Sequence, residues 1–309
     1  MDSRPAIRVR DLVRRFGDNT AVDALNFDVA PGELFGLVGP DGAGKTTTLR
    51  MLAGVLRPTA GDAELQGISV VADPEGVKHT IAYMSQRFGL YTDLTVLENL
   101  HFYADLYRVP KADRAARLER LFAFSNLGPF KDRLAGKLSG GMKQKLGLSC
   151  ALIHQPQILL LDEPTFGVDP ISRRDLWLIV HDMVAQGVTA VVSTAYMDEA
   201  ERFDRVALLL HGRLLALDTP AALSAALSGE ILEIELDQPR VAQAVLQAQA
   251  NVLRAVLFGD TLHVLVRSAE RELGTIDATL RAAGIVPRAI RPVAATMEDV
   301  FIDRMTEAA

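Results

Sequence analysis

The chain has 309 residues, and at roughly 150 residues per domain this length predicts two domains. Hydrophobic residues make up 49% and charged residues 23%, which excludes a disordered or fibrous protein. Lys and Arg total 33 against 39 for Asp and Glu. The net charge of −6, with no long run of like charges, argues against a nucleic-acid partner.

The cysteine content and the hydropathy indicate the compartment. Cys150 is the single cysteine, which excludes an internal disulfide framework and fits a reducing environment. The longest apolar runs fall far short of the ~20 residues that span a bilayer, and the N-terminus lacks the apolar core of a signal peptide. We therefore expect a cytoplasmic chain that can still dock on a membrane protein.

Residues 1–220 alternate short β-rich runs with longer helical patterns. Strands are predicted over residues 7–9, 34–38, 63–65, 158–161, 189–193 and 206–210. Helices are predicted over residues 46–56, 96–107, 112–124, 142–153 and 172–185, with Thr95 and Glu98 forming a capping box. Continuous apolar strands separated by helices predict an α/β fold on a largely parallel sheet.

Residues 221–309 show a second pattern and are predicted to form a smaller α+β domain. A half-buried strand over 232–236 precedes a helix over 241–250 and two strands around residues 259–260. A further helix ends at Gly284, and Pro287 predicts an edge position for the last strand, over 285–291. The order βαββαβ is that of a ferredoxin-like domain.

A glycine-rich segment follows the apolar strand 34–38 and opens a helix. Its residues are Gly39, Pro40, Asp41, Gly42, Ala43, Gly44, Lys45, Thr46 and Thr47. In such a loop the backbone N–H groups point at phosphate oxygens, Lys45 reaches the β- and γ-phosphates, and Thr46 ligates Mg²⁺. An ordinary glycine-rich turn is the alternative, but the strand before it and the helix after it favour a nucleotide site.

Asp162 and Glu163 follow a second apolar strand, 158–161. An acidic side chain at the end of a buried strand is costly unless it is paired or lies near a metal. We therefore assign Asp162 to Mg²⁺ and Glu163 to polarising an attacking water. The alternative is that these residues only terminate the strand and cap a helix before Pro164.

Ser139, Gly140 and Gly141 precede the helix predicted over 142–153 and would present N–H groups to an anion. Alone, segment 138–145 could be a simple helix cap. Between a phosphate loop and segment 158–164, it closely resembles the signature of ATP-binding-cassette (ABC) ATPases, and residues 1–220 as a whole are similar to that family. The resemblance implies a P-loop NTPase fold with a helical subdomain. It also implies head-to-tail pairing, with each ATP between one chain's phosphate loop and the other's signature.

The same resemblance gives roles to further residues. Phe16 lies where the family keeps an aromatic residue that stacks on adenine, although a core phenylalanine is the alternative. Gln86 matches the glutamine that contacts Mg²⁺ and the attacking water, with a solvated strand-end residue as the alternative. Val168 and Asp169 match the segment that crosses to the facing subunit.

Segments 88–99, 197–201 and 297–302 look like those of drug-resistance-type exporter ATPases. That subfamily carries an extra C-terminal domain and partners six-helix membrane subunits of type-2-like exporters. The resemblance therefore implies membrane permease subunits and a second cassette as partners. It implies a peripheral position on the inner face of the plasma membrane, through the permease.

Ala195 departs from the family, which usually has a histidine there that contacts the γ-phosphate of ATP. Alanine has no donor, and no histidine is near it in the sequence, since His211 lies beyond the next strand. Met142 replaces a common glutamine of the signature, with little loss expected. The chain's own site is therefore expected to be impaired while its signature completes a partner's site, which favours a heterodimer over a homodimer.

Three functions follow from these patterns. The first is the ATP-binding and hydrolysing subunit of a membrane exporter, with multidrug efflux as its task. The second is a nucleotide-binding regulatory cassette with little hydrolysis of its own, which Ala195 keeps open. The third, a soluble ABC-type ATPase acting on ribosomes or DNA, is disfavoured by the single cassette and the net charge of −6.

Overall fold

The computed structural model describes residues 4–86 and 89–307. Phe88, the first residue of the exporter-like segment 88–99, lies outside the described residues. The chain divides into two compact units between Thr219 and Pro220, one residue before the predicted boundary, and each unit has its own hydrophobic core. That the second unit is an accessory or regulatory domain stays a prediction.

The first unit combines two sheets with surrounding helices. Its strands are β1 (Ile7–Phe16), β2 (Asn19–Val29), β3 (Leu34–Val38), β4 (Ala60–Leu65), β5 (Ile68–Ser69), β6 (Ile81–Met84), β7 (Ile158–Asp162), β8 (Thr189–Thr194), β9 (Arg205–Leu210) and β10 (Arg213–Asp218). Its helices are α1 (Lys45–Leu52), α2 (Pro74–Thr80), α3 (Val96–Leu106), α4 (Lys111–Ser125), α5 (Gly140–Leu152) and α6 (Pro170–Ala185).

The larger sheet is mainly parallel, as the sequence predicts. Its strand order is β10-β9-β3-β8-β7-β6, in which only β10 runs antiparallel to its neighbour. Every residue of β3, β7 and β8 is buried, as expected for strands covered on both faces. Because parallel strands end at the same edge, the loop after β3 and the residues after β7 and β8 come together there.

The smaller sheet is antiparallel, with the order β2-β1-β4-β5. The sequence did not predict β2, although Val22, Leu25, Phe27 and Val29 are all buried. The pairing with β1 shifts register around Ala24, whose φ is +50°. This irregularity breaks the alternation of period two by which a half-buried strand is recognised.

Helices α3, α4 and α5 form the predicted helical subdomain. The capping box is confirmed: Glu98 N donates to Thr95 Oγ1 over 3.2 Å, and Thr95 N donates to Glu98 Oε2 over 2.8 Å. The buried Asn99 then fixes the preceding loop by donating from Nδ2 to the carbonyl oxygens of Tyr91 and Leu94. Across residues 4–86 and 89–307, no helix is both long and apolar enough to cross a bilayer.

The second unit has the predicted βαββαβ order, preceded and followed by a helix. Its elements are α7 (Pro220–Ala225), β11 (Glu230–Glu235), α8 (Pro239–Gln247), β12 (Val252–Phe258), β13 (Thr261–Val266), α9 (Ala269–Ala282), β14 (Ala289–Val293) and α10 (Met297–Glu307). The antiparallel sheet has the order β12-β13-β11-β14. The last strand lies at an edge, as predicted, but begins at Ala289 because Ile285 still donates to Leu280 O in the turn that ends α9.

Candidate nucleotide-binding site

The phosphate loop connects β3 to α1, where the sequence places it. Gly42 and Gly44 have φ values of +79° and +99°, which only glycine adopts without strain. A Cβ on Gly44 would also lie 2.6 Å from Ala21 O, so the close approach of β2 requires glycine here. Positive φ values of this kind are typical of loops whose backbone N–H groups form a concave anion-binding surface.

Lys45 is the first residue of α1, and its side chain is 4% exposed. Its ammonium group donates to Gly39 O over 2.7 Å and to Pro40 O over 3.0 Å. Nζ also lies 3.2 Å from Glu163 Oε1. The lysine is thus held inside the loop by the backbone and by the acidic residue that the sequence assigns to catalysis.

Asp162 ends β7 and is buried. Its Oδ1 accepts hydrogen bonds from Thr46 Oγ1 over 2.9 Å and from Ser193 Oγ over 2.8 Å. Tyr83 OH donates to Oδ2 over 3.4 Å, and burial together with the charge of Asp162 raises the pKa of Tyr83 to about 12, so the phenol keeps its proton. The helix-cap alternative does not fit, because α6 begins at Pro170 and is capped by Asp169.

Glu163 has a φ of +48°, an uncommon conformation for a residue with a side chain. Its backbone N–H donates to Ser193 Oγ over 3.0 Å, which anchors this strained position on β8. Gln86 Nε2 donates to Glu163 Oε2 over 3.2 Å. Gln86 is therefore paired with the carboxylate rather than simply solvated at the end of a strand.

A cavity of about 480 Å³ joins these residues to the end of the β1–β2 hairpin. It is lined by Phe16, Asn19, Thr20, Ala21, Asp41, Gly42, Ala43, Gly44, Lys45, Thr46, Thr47, Gln86, Glu163 and His211. Phe16 is 47% exposed and so is not a core residue. The guanidinium carbon of Arg14 lies 4.5 Å from the centroid of the Phe16 ring, a cation–π contact.

Ala195 follows β8, beside the start of the phosphate loop. Gly39 N donates to Thr194 O over 3.2 Å, which ties the residue before Ala195 to the loop. The buried Glu199 holds the following turn by accepting from Thr194 Oγ1 over 2.7 Å and from Trp177 Nε1 over 3.1 Å. The backbone at position 195 is thus firmly positioned, but its side chain is a methyl group with no hydrogen-bonding atom.

The structure also brings in residues that the sequence analysis missed. Ser193 and Tyr83 hold Asp162, and Thr20 and Ala21 line the cavity. His211, which was set aside because it lies beyond β9, is also in the lining. Strand order explains why His211 belongs to this site. Because β9 is a parallel neighbour of β3, the turn after β9 lies at the same edge of the sheet as the phosphate loop.

The signature residues lie outside this cavity lining. Ser139 caps α5, which begins at Gly140 rather than at 142, by accepting from Met142 N over 3.3 Å, and both Ser139 and Gly140 are exposed. A Cβ on Gly141 would clash with the Ser172 side chain, which explains glycine at that position. The chain thus presents its phosphate loop and its signature at separate places.

The oxygen atoms beside the phosphate loop determine which metal ion the site could hold. In the described parts of the chain, no three or more His, Cys, Asp or Glu side chains cluster to hold a metal ion by themselves. Thr46 Oγ1 and Asp162 Oδ1 nevertheless offer two adjacent oxygen donors beside the phosphate loop. Such a pair fits Mg²⁺, which is usually bound through one or two protein oxygens together with substrate phosphates.

Comparisons with known proteins identify the family of the chain. A family model described as ABC transporter matches residues 22–166. The chain is 44% identical over 299 residues to the probable multidrug ABC transporter ATP-binding protein YbhF of Escherichia coli, covering 96% of this chain but only 51% of that relative. The chain thus spans about half the length of that relative.

Other relatives match over most of their own length. The daunorubicin/doxorubicin resistance ATP-binding protein DrrA of Streptomyces peucetius is 36% identical over 85% of this chain and 79% of its own. The Nod factor export ATP-binding protein I of Paraburkholderia xenovorans is 36% identical over 96% of both chains.

Solved structures show the same fold. A structure of the ATP-binding subunit of an ABC transporter has a TM-score of 0.66 and 29% identity, covering 71% of this chain and 92% of its own. An ATP-binding cassette in a post-hydrolysis dimer bound to ADP and Pi has a TM-score of 0.63 and 24% identity, covering 69% and 98%. This chain therefore belongs to the family of ABC transporter ATP-binding proteins.

Proposed function

We propose that this chain binds and hydrolyses ATP and thereby energises an ABC-type exporter. The observation that carries the proposal is that Lys45, Thr46 and Glu163 line one cavity beside the phosphate loop, with Asp162 accepting a hydrogen bond from Thr46. Two of these residues come from the start of α1 and two from the end of β7. This arrangement combines a phosphate-binding surface with a carboxylate that can accept a proton.

Binding of ATP follows from the loop and the hairpin. The N–H groups of Gly42 and Gly44 and those at the start of α1 would attract the phosphates, and Lys45 adds a full positive charge. At the other end of the cavity, the exposed ring of Phe16 is available to stack on adenine. Mg²⁺ would be held by Thr46 and Asp162 with Gln86 nearby, and it would neutralise part of the charge on the phosphates.

Glu163 is the general base of the proposed reaction. Its Oε1 is held by Lys45 and its Oε2 by Gln86, so both oxygens are fixed at the edge of the cavity. A water bound between Oε2 and the γ-phosphate would give its proton to Glu163 as it attacks. Gln86 orients the carboxylate and the water, while Ala195 contributes no donor.

A second cassette is needed to complete each site. The exposed Ser139 and Gly140 lie outside the cavity lining of their own chain. Phe166 and Ile171 adjoin Gly167 and Ser172, the residues that approach Gly140 and Gly141, and they are 55% and 70% exposed, which suits a surface that another subunit covers. Because Ala195 weakens this chain's own site, we favour a heterodimer with a cassette that keeps the histidine.

The exported substrate class comes from the relatives. Their names refer to multidrug transport, resistance to daunorubicin and doxorubicin, and export of Nod factor. We extend export of organic molecules to this chain, through membrane permease subunits that hold it at the inner face of the plasma membrane. Leu106 and Val55, 58% and 63% exposed, border a groove of about 630 Å³ that we propose as the permease contact.

A regulatory cassette with little hydrolysis remains the second candidate, because position 195 lacks a donor. Measurements of ATP binding and phosphate release on the purified chain separate the two functions. The first proposal predicts binding of ATP, with hydrolysis that rises when a partner cassette is added and disappears in Glu163→Gln. Binding with no phosphate release under any condition would favour the regulatory function, and no ATP binding at all would contradict both.

A further inference from the structure

His211 lies at the tip of the β9–β10 hairpin, in the lining of the phosphate-loop cavity. His211 and Gly212 form the two-residue turn, with φ values of +49° and +78°. Positive φ at both central residues is the requirement of a tight type I′ hairpin turn, for which Asn-Gly is the preferred sequence. A histidine at the first position is therefore not explained by the needs of the turn.

The turn is fixed between β2 and the phosphate loop. Gly212 N donates to Ala43 O over 3.2 Å, and Asp23 N donates to Gly212 O over 2.9 Å. A Cβ on Gly212 would lie 2.8 Å from Ala21 O, so the backbones are in close contact. The imidazole is consequently carried by a backbone whose position relative to the loop is set by hydrogen bonds on both sides.

The imidazole itself is exposed, and within residues 4–86 and 89–307 it has no hydrogen-bond or ion-pair partner. A neutral imidazole carries one N–H donor, and an imidazolium carries two. The donor is free to bind a ligand without breaking a contact inside the protein.

The position of the turn indicates which part of a nucleotide it meets. Phe16 marks the base end of the cavity, and Lys45 and Thr46 mark the end at which the β- and γ-phosphates bind. The turn that carries His211 is bonded through Gly212 to Ala43 of the phosphate loop and to Asp23 of β2, the strand that follows Phe16 in the chain. Ala195 lies on the opposite flank of β3, because β8 and β9 are the two neighbours of that strand.

We propose that His211 donates a hydrogen bond to the ribose–α-phosphate region of the bound adenine nucleotide and so contributes to nucleotide affinity. The inference rests on the proposed function, since it assigns a further contact in the same site. It makes His211 distinct from the missing histidine of position 195, which would sense the γ-phosphate. ATP and ADP share the ribose and the α-phosphate, so the contact should strengthen the binding of both nucleotides equally.

The test is the affinity of the full chain for ATP and for ADP, measured by equilibrium fluorescence titration. His211→Gly removes the side chain and His211→Asn shortens it, and both residues suit the positive φ of the turn. His101→Ala is the matched control, because His101 is an exposed histidine of α3 outside the cavity lining. Thermal unfolding without nucleotide verifies that each variant is folded.

We expect the His211 variants to weaken ATP and ADP binding by the same factor, about three- to tenfold, as for the loss of one hydrogen bond. The control should bind like the wild type. A parallel titration with 2′-deoxy-ATP locates the contact: a smaller effect of His211→Gly on this analogue assigns it to the 2′-hydroxyl, and an equal effect assigns it to the α-phosphate or the rest of the ribose.

Two results would overturn the inference. One is unchanged affinity for both nucleotides in both His211 variants. The other is a loss confined to ATP, which would place the contact at the γ-phosphate. A wild-type chain that binds neither nucleotide would instead refute the proposed function, and with it any role of His211 in binding.

Discussion

Lys45 and Glu163 face each other at the phosphate loop, with Nζ of the lysine 3.2 Å from Oε1 of the glutamate and both side chains at most 10% exposed. At this distance and degree of burial the attraction is stronger than that of a surface ion pair. The phosphates of ATP bring negative charge to the same ammonium group. Glu163 and the nucleotide therefore compete for Lys45.

Neutralising the two partners should have opposite effects on ATP binding. Glu163→Gln removes the competing charge and should tighten ATP binding by about two- to tenfold, while phosphate release falls to background because the base is lost. Lys45→Ala removes a charge-assisted contact of about 1.5–3 kcal/mol and should weaken ATP binding by roughly 10- to 150-fold. Titration of ATP and a phosphate-release assay measure both effects.

Lys78→Ala is the control for these variants. Lys78 lies on α2 in an exposed ion pair with Glu75 and is not part of the nucleotide cavity lining. It should change neither ATP affinity nor phosphate release. Equal weakening of ATP binding in Lys45→Ala and Glu163→Gln would contradict the competition and the roles assigned to the pair.

The boundary at Thr219 should allow the first unit to fold alone. All residues of the nucleotide cavity lie before this boundary, and the apolar clusters of the two units share no residue. We expect a chain truncated after Thr219 to unfold cooperatively by circular dichroism and to bind ATP within about twofold of the full chain. A truncated chain without helical signal would show that the two units depend on each other for folding.

Local sequence determined what could be predicted about the site. The loop 39–47 and the pair Asp162 and Glu163 are continuous segments whose backbone geometry follows from their own residues. Ser193 and His211 could not be assigned in the same way. Their places depend on which strands neighbour β3 and β7, a long-range pairing that a single sequence does not specify.

The strands of the fold also differ in how well the local sequence predicts them. Fully buried strands such as β3 and β7 were predicted because their apolar runs are unbroken. The irregular pairing of β2 hid its alternation, as the positive φ of Ala24 shows. In the second unit, β11 alternates regularly and a short turn joins β12 to β13, so the sequence predicted these strands correctly.

His263 should make the stability of the second unit depend on pH. The side chain is buried on β13, with Nδ1 3.0 Å from Asp299 Oδ1 of α10 and Nε2 3.6 Å from Glu233 Oε2 of β11. Phe258 stacks on the imidazole from β12, at 4.1 Å between ring centroids. Burial alone would lower the pKa of His263, but the hydrogen bond and charge of Asp299, with those of Glu233, raise it above its usual value.

A raised pKa in the folded state means that protonated His263 stabilises the unit. This contribution is complete below the unfolded pKa of about 6.5 and disappears as the pH rises through the folded pKa. His263→Gln should therefore speed hydrogen–deuterium exchange in β13 and α10 more at pH 5.5 than at pH 9, relative to the wild type at the same pH. An equal effect at both pH values would mean that the charge of His263 contributes nothing to stability.

Ala195 should limit ATP hydrolysis by the chain's own site. The peptide before it is bonded to the phosphate loop, since Gly39 N donates to Thr194 O, and the turn after it is held by the buried Glu199. A histidine placed on this backbone would start from a fixed position beside the loop. The missing element is thus a side-chain donor and not the backbone that would carry it.

Ala195→His should consequently raise the ATPase rate of the purified chain. A charge-assisted hydrogen bond to the γ-phosphate is worth about 1.5–3 kcal/mol, which corresponds to roughly a 10- to 150-fold change in rate. We expect at least a several-fold gain in phosphate release, with the affinity for ADP unchanged because ADP has no γ-phosphate. Ala195→Gln, which adds bulk and a neutral donor, is the control and should gain less than histidine. If the wild-type chain alone already hydrolyses ATP rapidly and Ala195→His adds nothing, the asymmetric pairing with a histidine-bearing cassette loses its physical basis.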